Sequence, residues 1–433
     1  MGAPRTARSE FAVKNGIIMR MECRVSVSRI AGAALARTFV FAWTVFAAQS
    51  AKAQTFKTLY AFKGSPDGAS PYAGSLTLDA AGNLYGTTIN GGGSGDGKCN
   101  AGCGTVFRLD KTGKETVLHS FGPAPDGELP ISGVIRGVDG NLYGTAYWAG
   151  AYNCGAVFKI TKDGQETVMY SFLGGAGNGC APQSSLFRDA AGNLYGTTIG
   201  NTVFKVTSSG QETTIYNFTG SPDGSFPLGG LIRDALGNFY GATEIGGTTG
   251  CGGSQGCGTI FKLDSSGKET VLYRFTGGKD GAYPQFGELA RDPAGNLYGM
   301  TFSGGLTEKN NCIALGCGVV FKVAPTGKET VLYRFTGGKD GAEPQASVIR
   351  DSAGNLYGMT QDGGDLNCEP PFGCGVAFKL APSGKLTILH RFTGGNDGAG
   401  PLGGLILDKS GNIYGATLGG GVFGNGVVFK ITP

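Results

Sequence analysis

The sequence predicts an all-β chain: a seven-bladed β-propeller of four-stranded blades, with the last blade closed by the N-terminal strand. Three observations carry this. A tandem repeat is counted seven times by two separate markers, 81 of 433 residues are Gly while only 16% are charged, and the repeat begins in permuted register. Such Gly usage without a Gly-X-Y period excludes collagen, and the regular Leu, Val, Phe and Tyr positions between the glycines exclude a disordered linker.

Residues 1–53 read as a secretory signal peptide. Arg20, Arg24 and Arg29 precede an apolar run from Thr38 to Ala48, and the small residues Ala51 and Ala53 stand before Gln54. Cleavage after Ala53 leaves a repeat domain over 54–433. The apolar run is short for a membrane span, so no span is expected after signal removal; an uncleaved anchor is the alternative, and Met19 or Met21 are alternative starts. The chain stops at Pro433 directly after a strand, so no C-terminal anchor is expected.

The repeat is plain from Glu269 to Lys328 and again from Glu329 to Lys385, with looser copies from Glu115, Glu166, Glu212 and Leu386. Seven Gly-Asn-apolar-Tyr-Gly sites run from Asn83 to Gly415, and seven Phe-Lys/Arg pairs from Phe107 to Phe429. Each unit holds four β-type runs, for example 286–292, 296–301, 319–324 and 329–335. Tight hairpins join the first to the second and the third to the fourth, since Asp-x-x-Gly-Asn and Gly-Lys supply residues that accept positive φ. Four-stranded units repeated radially match a propeller. Phe56 to Phe62 matches the fourth strand and Ile431 ends a third strand, so the N-terminal strand completes the last blade and hides two edges. A linear β-solenoid would not need this permuted start.

With the first strand innermost, both tight hairpins fall on one face. The Pro-bearing loop before each inner strand and the variable loop after each Tyr-Gly fall on the other, where binding specificity is expected. Ten cysteines sort into five disulfides: Cys99 with Cys103, Cys251 with Cys257, Cys312 with Cys317 and Cys368 with Cys374 inside single loops, and Cys154 with Cys180 between neighbouring loops. An even set in an exported chain is a staple framework. Zinc would want four converging Cys or His, so no metal and no cofactor are expected.

Catalytic motifs are weak. His119 and His390 occupy a position where other copies carry Tyr, and the G-x-S-x-G match at Gly252 to Gly256 lies in a cysteine loop without strand-turn-helix context. Seven Asp/Asn-Gly steps from Asp67 to Asp397 read as turn caps, with a carboxylate ring at the channel mouth as the alternative. Arg136, Arg188, Arg233, Arg291 and Arg350 end inner strands, either lining an anion site or pairing with adjacent turn carboxylates. Glu288 is the one acid within an inner strand that breaks the repeat, although no partner for glycoside cleavage accompanies it. Tyr147, Trp148 and Tyr152 form an aromatic cluster in a variable loop that suits stacking on a sugar. These four are the candidate ligand-binding residues, and no catalytic residue is assigned.

After position 53 there remain 28 basic and 30 acidic residues, and no nucleic-acid partner is indicated. The unit ETVLYRFTGGKDGAYP…RDPAGNLYGMT…GCGVVFK resembles the GloVer-type tandem repeat of exported bacterial proteins, in register over roughly 55–433. The resemblance implies a cell-surface or extracellular protein and no established activity; members often carry anchors, which this chain does not show, favouring release to the periplasm or medium. The expected function is a monomeric, non-enzymatic module binding a glycan or protein through its disulfide-tied loop face. A structural envelope role or a propeller hydrolase or lyase are the alternatives.

Overall fold

The protein is described by a computed structural model over residues 54–433, apart from 94–98, 100, 176, 249, 252–254, 306–311 and 313–314. Residues 1–53, read above as a signal peptide, and most of the Gly252 to Gly256 match lie outside the described residues. Seven four-stranded antiparallel sheets follow one another, with no helix among the described residues. Blade 1 runs from the axis outward as Thr77–Leu78, Leu84–Thr88, Thr105–Leu109 and Glu115–Ser120. The next five blades repeat this order. Blade 7 comprises Ile406–Leu407, Ile413–Thr417 and Val427–Thr432, and takes Thr55–Ala61 as its outer strand with Phe56 opposite Ile431. The permuted start therefore closes the ring.

The two sequence markers are the halves of one packing unit. In every blade the Gly of Tyr-Gly lies opposite the Phe of Phe-Lys/Arg, as Gly241 does opposite Phe261. A Cβ on Gly241 would sit 2.6 Å from Phe261 Cζ, and one on Gly144 would sit 2.5 Å from Phe158 Cζ. Only Gly leaves room for the ring. That Phe then meets, edge to face, the Phe ending the outer strand of the preceding blade: Phe121 with Phe158 at 5.0 Å, Phe275 with Phe321 at 5.1 Å. The same contact joins Phe392 to Phe429 and Phe62 to Phe107, so it passes through the closed blade without a break. These rings are fully buried, each contributing about 1.5–3 kcal/mol by burial and about 0.5–1.5 kcal/mol more through the ring pair.

Each third-to-outer ladder carries a bulge. Val106 pairs with His119 and Phe107 with Val117, leaving Leu118 over, and the same slip recurs in all seven blades. Bulges sharpen the local twist and re-aim side chains. Inner strands are shorter than the sequence suggests: in blade 5 regular pairing covers only Ala290–Arg291 rather than 286–292. The residues before it pack on the next inner strand instead, and a Cβ on Gly287 would lie 2.5 Å from the Ala346 carbonyl oxygen.

The Asp-x-x-Gly-Asn hairpin is closed by its own side chains. Asp292 accepts hydrogen bonds from the Asn296 backbone N–H (2.9 Å), Asn296 Nδ2 (2.8 Å) and the Tyr298 hydroxyl (3.0 Å), while Gly295 takes φ +86°. Burial alone would raise such a carboxyl, but these bonds outweigh it, and Asp234 is held down at about 2.

Candidate ligand-binding face

The residue before each loop Pro is left-handed in all seven blades: Ser70, Leu129, Ala181, Phe226, Tyr283, Glu343 and Gly400, with φ of 54–58°. A following Pro disfavours the right-handed region, yet left-handed backbone is costly for Leu, Phe or Tyr. What holds it is a tie between blades. The Leu129 N–H donates to the Cys103 carbonyl at 2.9 Å, Tyr283 to Cys257 at 2.9 Å, Glu343 to Cys317 at 3.0 Å and Gly400 to Cys374 at 3.0 Å. Ala181 donates likewise to Cys154, at 2.8 Å.

All five cysteine pairs are bonded: Cys99–Cys103, Cys154–Cys180, Cys251–Cys257, Cys312–Cys317 and Cys368–Cys374. Each fixes the carbonyl that receives the next blade's loop. In blade 3, which has no cysteine in this loop, the side chain of Asn201 accepts from the Phe226 N–H at 2.7 Å; in blade 7 the Asn425 carbonyl accepts from Ser70 at 2.8 Å. Cys99, Cys103 and Glu128 lie close enough together to suggest a metal site. The sulfurs are spent on the disulfide, so that group offers no thiolate set.

On this frame one position changes from blade to blade. In six blades the residue two after the second strand pairs with the entering loop: Asn90 with Ala69, Trp148 with Glu128, Ile245 with Ser225, Ser303 with Ala282, Asp362 with Ala342 and Gly419 with Ala399; in blade 3 it is Thr198, one after the strand, with Pro182. Trp148 is 42% and Tyr152 56% exposed, and Trp148 meets Tyr147 edge to face at 5.0 Å. Asp362 is pushed up to about 7 by burial and then by the carboxyls of Glu343, which shares a hydrogen bond with it, and Glu369. Burial also raises Glu244, whose Oε1 accepts from Gln285 Nε2 at 2.7 Å; Gln345 pairs similarly with Gln361. Between blades 7 and 1 a cavity of about 330 Å³ is walled by Ser65, Ser70, Asn90 and Asn425.

Glu288 lies elsewhere, in the channel wall. The equivalent residues in other blades are small (Ser75, Gly133, Ser185, Gly230, Ser347 and Gly404), and a Cβ on Gly230 would come within 2.7 Å of the Glu288 side chain. Its N–H donates to Ser347 Oγ at 2.9 Å. Burial drives its carboxyl up, against a hydrogen bond from Ser185. Its contacts are with Ser185, Gly230 and Ser347, so the predicted site residues divide between a blade 2 loop and the channel.

Tyr72 and Phe286 were not singled out from the sequence, yet they meet edge to face at 6.0 Å although they belong to blades 1 and 5. The readable signal is length: Pro71 to Leu76 and Pro284 to Leu289 are each one residue longer than Pro227 to Leu231. Two extra residues on opposite sides of the ring thus bring two aromatics together over the axis.

The Asp-Gly steps are turn caps. Asp280 accepts from the Tyr273 hydroxyl and the Thr276 N–H, both at 2.9 Å, and His119 and His390 reach Asp126 at 3.1 Å and Asp397 at 2.8 Å. Both histidines are thereby engaged on outer strands. Of the inner-strand arginines only Arg188 pairs with a turn carboxylate, Asp139 at 3.3 Å, among the described residues. Arg233, Arg291 and Arg350 instead lie over Tyr195, Tyr240 and Tyr298 of the preceding blade.

The family model of the Gloeobacter/Verrucomicrobia repeat matches residues 38–253 and 245–433. A search of curated proteins gives no match to the chain. Among solved structures, virginiamycin B lyase from Staphylococcus aureus superposes with TM-score 0.55 at 13% identity, covering 88% of this chain and 99% of that one. The extracellular domain assigned to a hybrid two-component system of B. thetaiotaomicron gives TM-score 0.50 at 14% identity, covering 87% of this chain and 41% of that one. At such identities the likeness is one of fold.

Proposed function

The chain belongs to the Gloeobacter/Verrucomicrobia repeat family, and from that footing we propose that it is an exported, non-enzymatic binding propeller that engages a glycan through its disulfide-tied loop face. The carrying observation is the single bridging position that reads Asn90, Trp148, Ile245, Ser303, Asp362 and Gly419 on an otherwise repeated frame. A rigid scaffold with one variable position per blade is how specificity is varied without disturbing a fold. The amide of Asn90, the protonatable acid Asp362 and the exposed indole of Trp148 are groups that recognise sugar hydroxyls and ring faces. Five disulfides suit an oxidising compartment, and no helix among the described residues is long and apolar enough to cross a membrane. Residues 1–53 are the signal peptide of this reading, and the mature chain acts as a monomer.

A glycan array on residues 54–433, followed by calorimetry with Trp148→Ala and Asp362→Asn, tests it. Binding that either variant weakens about tenfold or more is expected. Failure of every glycan to bind moves the reading to a protein ligand or an envelope role. The second reading, a hydrolase or lyase, is favoured by one observation, the Asp362 and Glu343 pair with Asp362 at about 7, where a carboxyl can give up a proton at neutral pH. Ligand turnover lost in Asp362→Asn would select it.

A further inference from the structure

On the face opposite the loops, where the tight hairpins end, clefts open between neighbouring blades. They measure about 400 Å³ between blades 7 and 1, 380 Å³ between blades 5 and 6 and 360 Å³ between blades 3 and 4. Each is built from the repeat in the same way: a Tyr from the second strand, a Lys from the third strand, and a cation from the following blade. Between blades 5 and 6 these are Tyr298, Lys322 and Arg350; between blades 3 and 4, Tyr195, Lys205 and Arg233. Between blades 7 and 1 the lining brings Lys57, Lys111 and Lys430 around Tyr414.

The cations lining these clefts outnumber the carboxylates: Lys322 and Arg350 meet none in the lining, Lys205 and Arg233 meet Asp264, and Lys57, Lys111 and Lys430 meet Asp110. Asp292 and Asp189 hold the Asn and Tyr of their own hairpins, and Asp264 accepts from the Ser266 N–H, the Ser266 hydroxyl and the Lys268 N–H. The cations, by contrast, are stacked on rings: Arg350 lies 5.8 Å from the Tyr298 centroid and Lys430 5.5 Å from that of Tyr414. Cation–aromatic stacking fixes their direction without cancelling their charge. Each of these three clefts thus has a net positive lining, with ionised hairpin carboxylates such as Asp292 and Asp189 beside it on the same face.

We propose that this face binds an acidic polysaccharide, its carboxylate or sulfate groups entering successive clefts. Lys205, Lys322 and Lys430 are half-buried along the third strands, so a flat bilayer or a duplex resting on the hairpin tips would not reach them. A slender chain with pendant anionic groups would. The Tyr faces are covered by the cations, which leaves charge rather than stacking as the recognition. Repetition around the ring makes weak single contacts additive through avidity. This site is at the far end of the blades from the loop face and stands whether or not that face binds a glycan.

Interferometry of the disulfide-intact chain on immobilised polygalacturonate tests the proposal, with neutral dextran, anionic vesicles and duplex DNA beside it. Expected is binding to polygalacturonate but not dextran, falling about tenfold or more between roughly 50 and 200 mM salt by counterion release. The Lys205→Gln/Lys322→Gln/Lys430→Gln variant should bind about tenfold more weakly with its unfolding midpoint unchanged, and Trp148→Ala should bind as the parent does. Should that variant not fold, Lys111→Gln/Lys162→Gln, at exposed hairpin lysines, should still weaken binding about threefold. No binding to polygalacturonate, unchanged affinity in the folded lysine variants, or tighter binding to vesicles or duplex overturns it.

Discussion

Four outer strands begin with a Glu placed against an Asp of the preceding blade, and removing those charges should stabilise the propeller in a pH-dependent way. Glu115 faces Asp67, Glu166 faces Asp126, Glu269 faces Asp223 and Glu329 faces Asp280; burial first, and the Asp charge second, raise each Glu from 4.5 to about 7. An acid whose folded pKa is raised holds its proton more tightly when folded. Below the unfolded value both states are protonated and nothing is lost; stability falls as pH rises from about 4.5 to 7, and the full cost is present above 7. Fully transmitted, such a shift is about 3 kcal/mol per site, but these side chains are partly exposed, and screening leaves about 1 kcal/mol each. The quadruple Glu115→Gln/Glu166→Gln/Glu269→Gln/Glu329→Gln variant should therefore gain about 4 kcal/mol at pH 8, roughly 5 °C in melting temperature for a domain of this size. At pH 4 it should gain almost nothing. Glu212→Gln is the internal control, because the residue at the Asp position there is Asn178 and only burial raises Glu212; its gain at pH 8 should be smaller. The chain itself uses the apolar solution at the equivalent positions Leu386 and Phe56. Calorimetry at both pH values decides the matter, and equal gains at pH 4 and pH 8, or a loss at pH 8, would refute it.

Gly241→Ala should cost about 1–3 kcal/mol in denaturant unfolding by overpacking Phe261, whereas Gly419→Ala, with open space around its Cβ position, should change the midpoint little. Replacing Cys154 and Cys180, 26 residues apart, should cost about 3.5 kcal/mol, against about 2 kcal/mol for Cys99 and Cys103, 4 apart, if loop entropy sets the effect; equal losses would point to native contacts instead. Asn201→Ala removes the acceptor that replaces a cysteine carbonyl and should cost about 1–3 kcal/mol, read as a lower melting temperature in the otherwise unchanged chain.

The blade count, the closure and the cysteine pairs were legible because each depends on local spacing that a tandem repeat states seven times. Gly241 and Phe261 recur in every copy as separate markers, and their pairing across the second and third strands is visible only in the sheet. What the spacing does not carry is contact between blades. That Asn201 stands in for a cysteine follows only when the next blade's loop is laid beside it, and that Tyr72 reaches Phe286 needs the ring to be closed. Charge was hidden for the same reason: 28 basic and 30 acidic residues after position 53 sum to almost nothing. The fold then sends most third-strand and hairpin lysines to one face and the loop acids to the other.

Repetition also explains why the framework is silent on the ligand. Phe121 with Phe158, Phe275 with Phe321 and Phe392 with Phe429 are one contact made in several places, so those residues report on ring closure alone. Information about a partner whose parts are unlike can reside only where the copies differ. The differences are of two kinds: side chains exchanged at one backbone position, as between Trp148 and Asp362, and residues added, as in Pro71 to Leu76. Both kinds fall on the loop face and at the channel mouth. The hairpin face differs little between blades, which suits a ligand that is itself a repeat, whereas the loop face suits one whose parts are unlike.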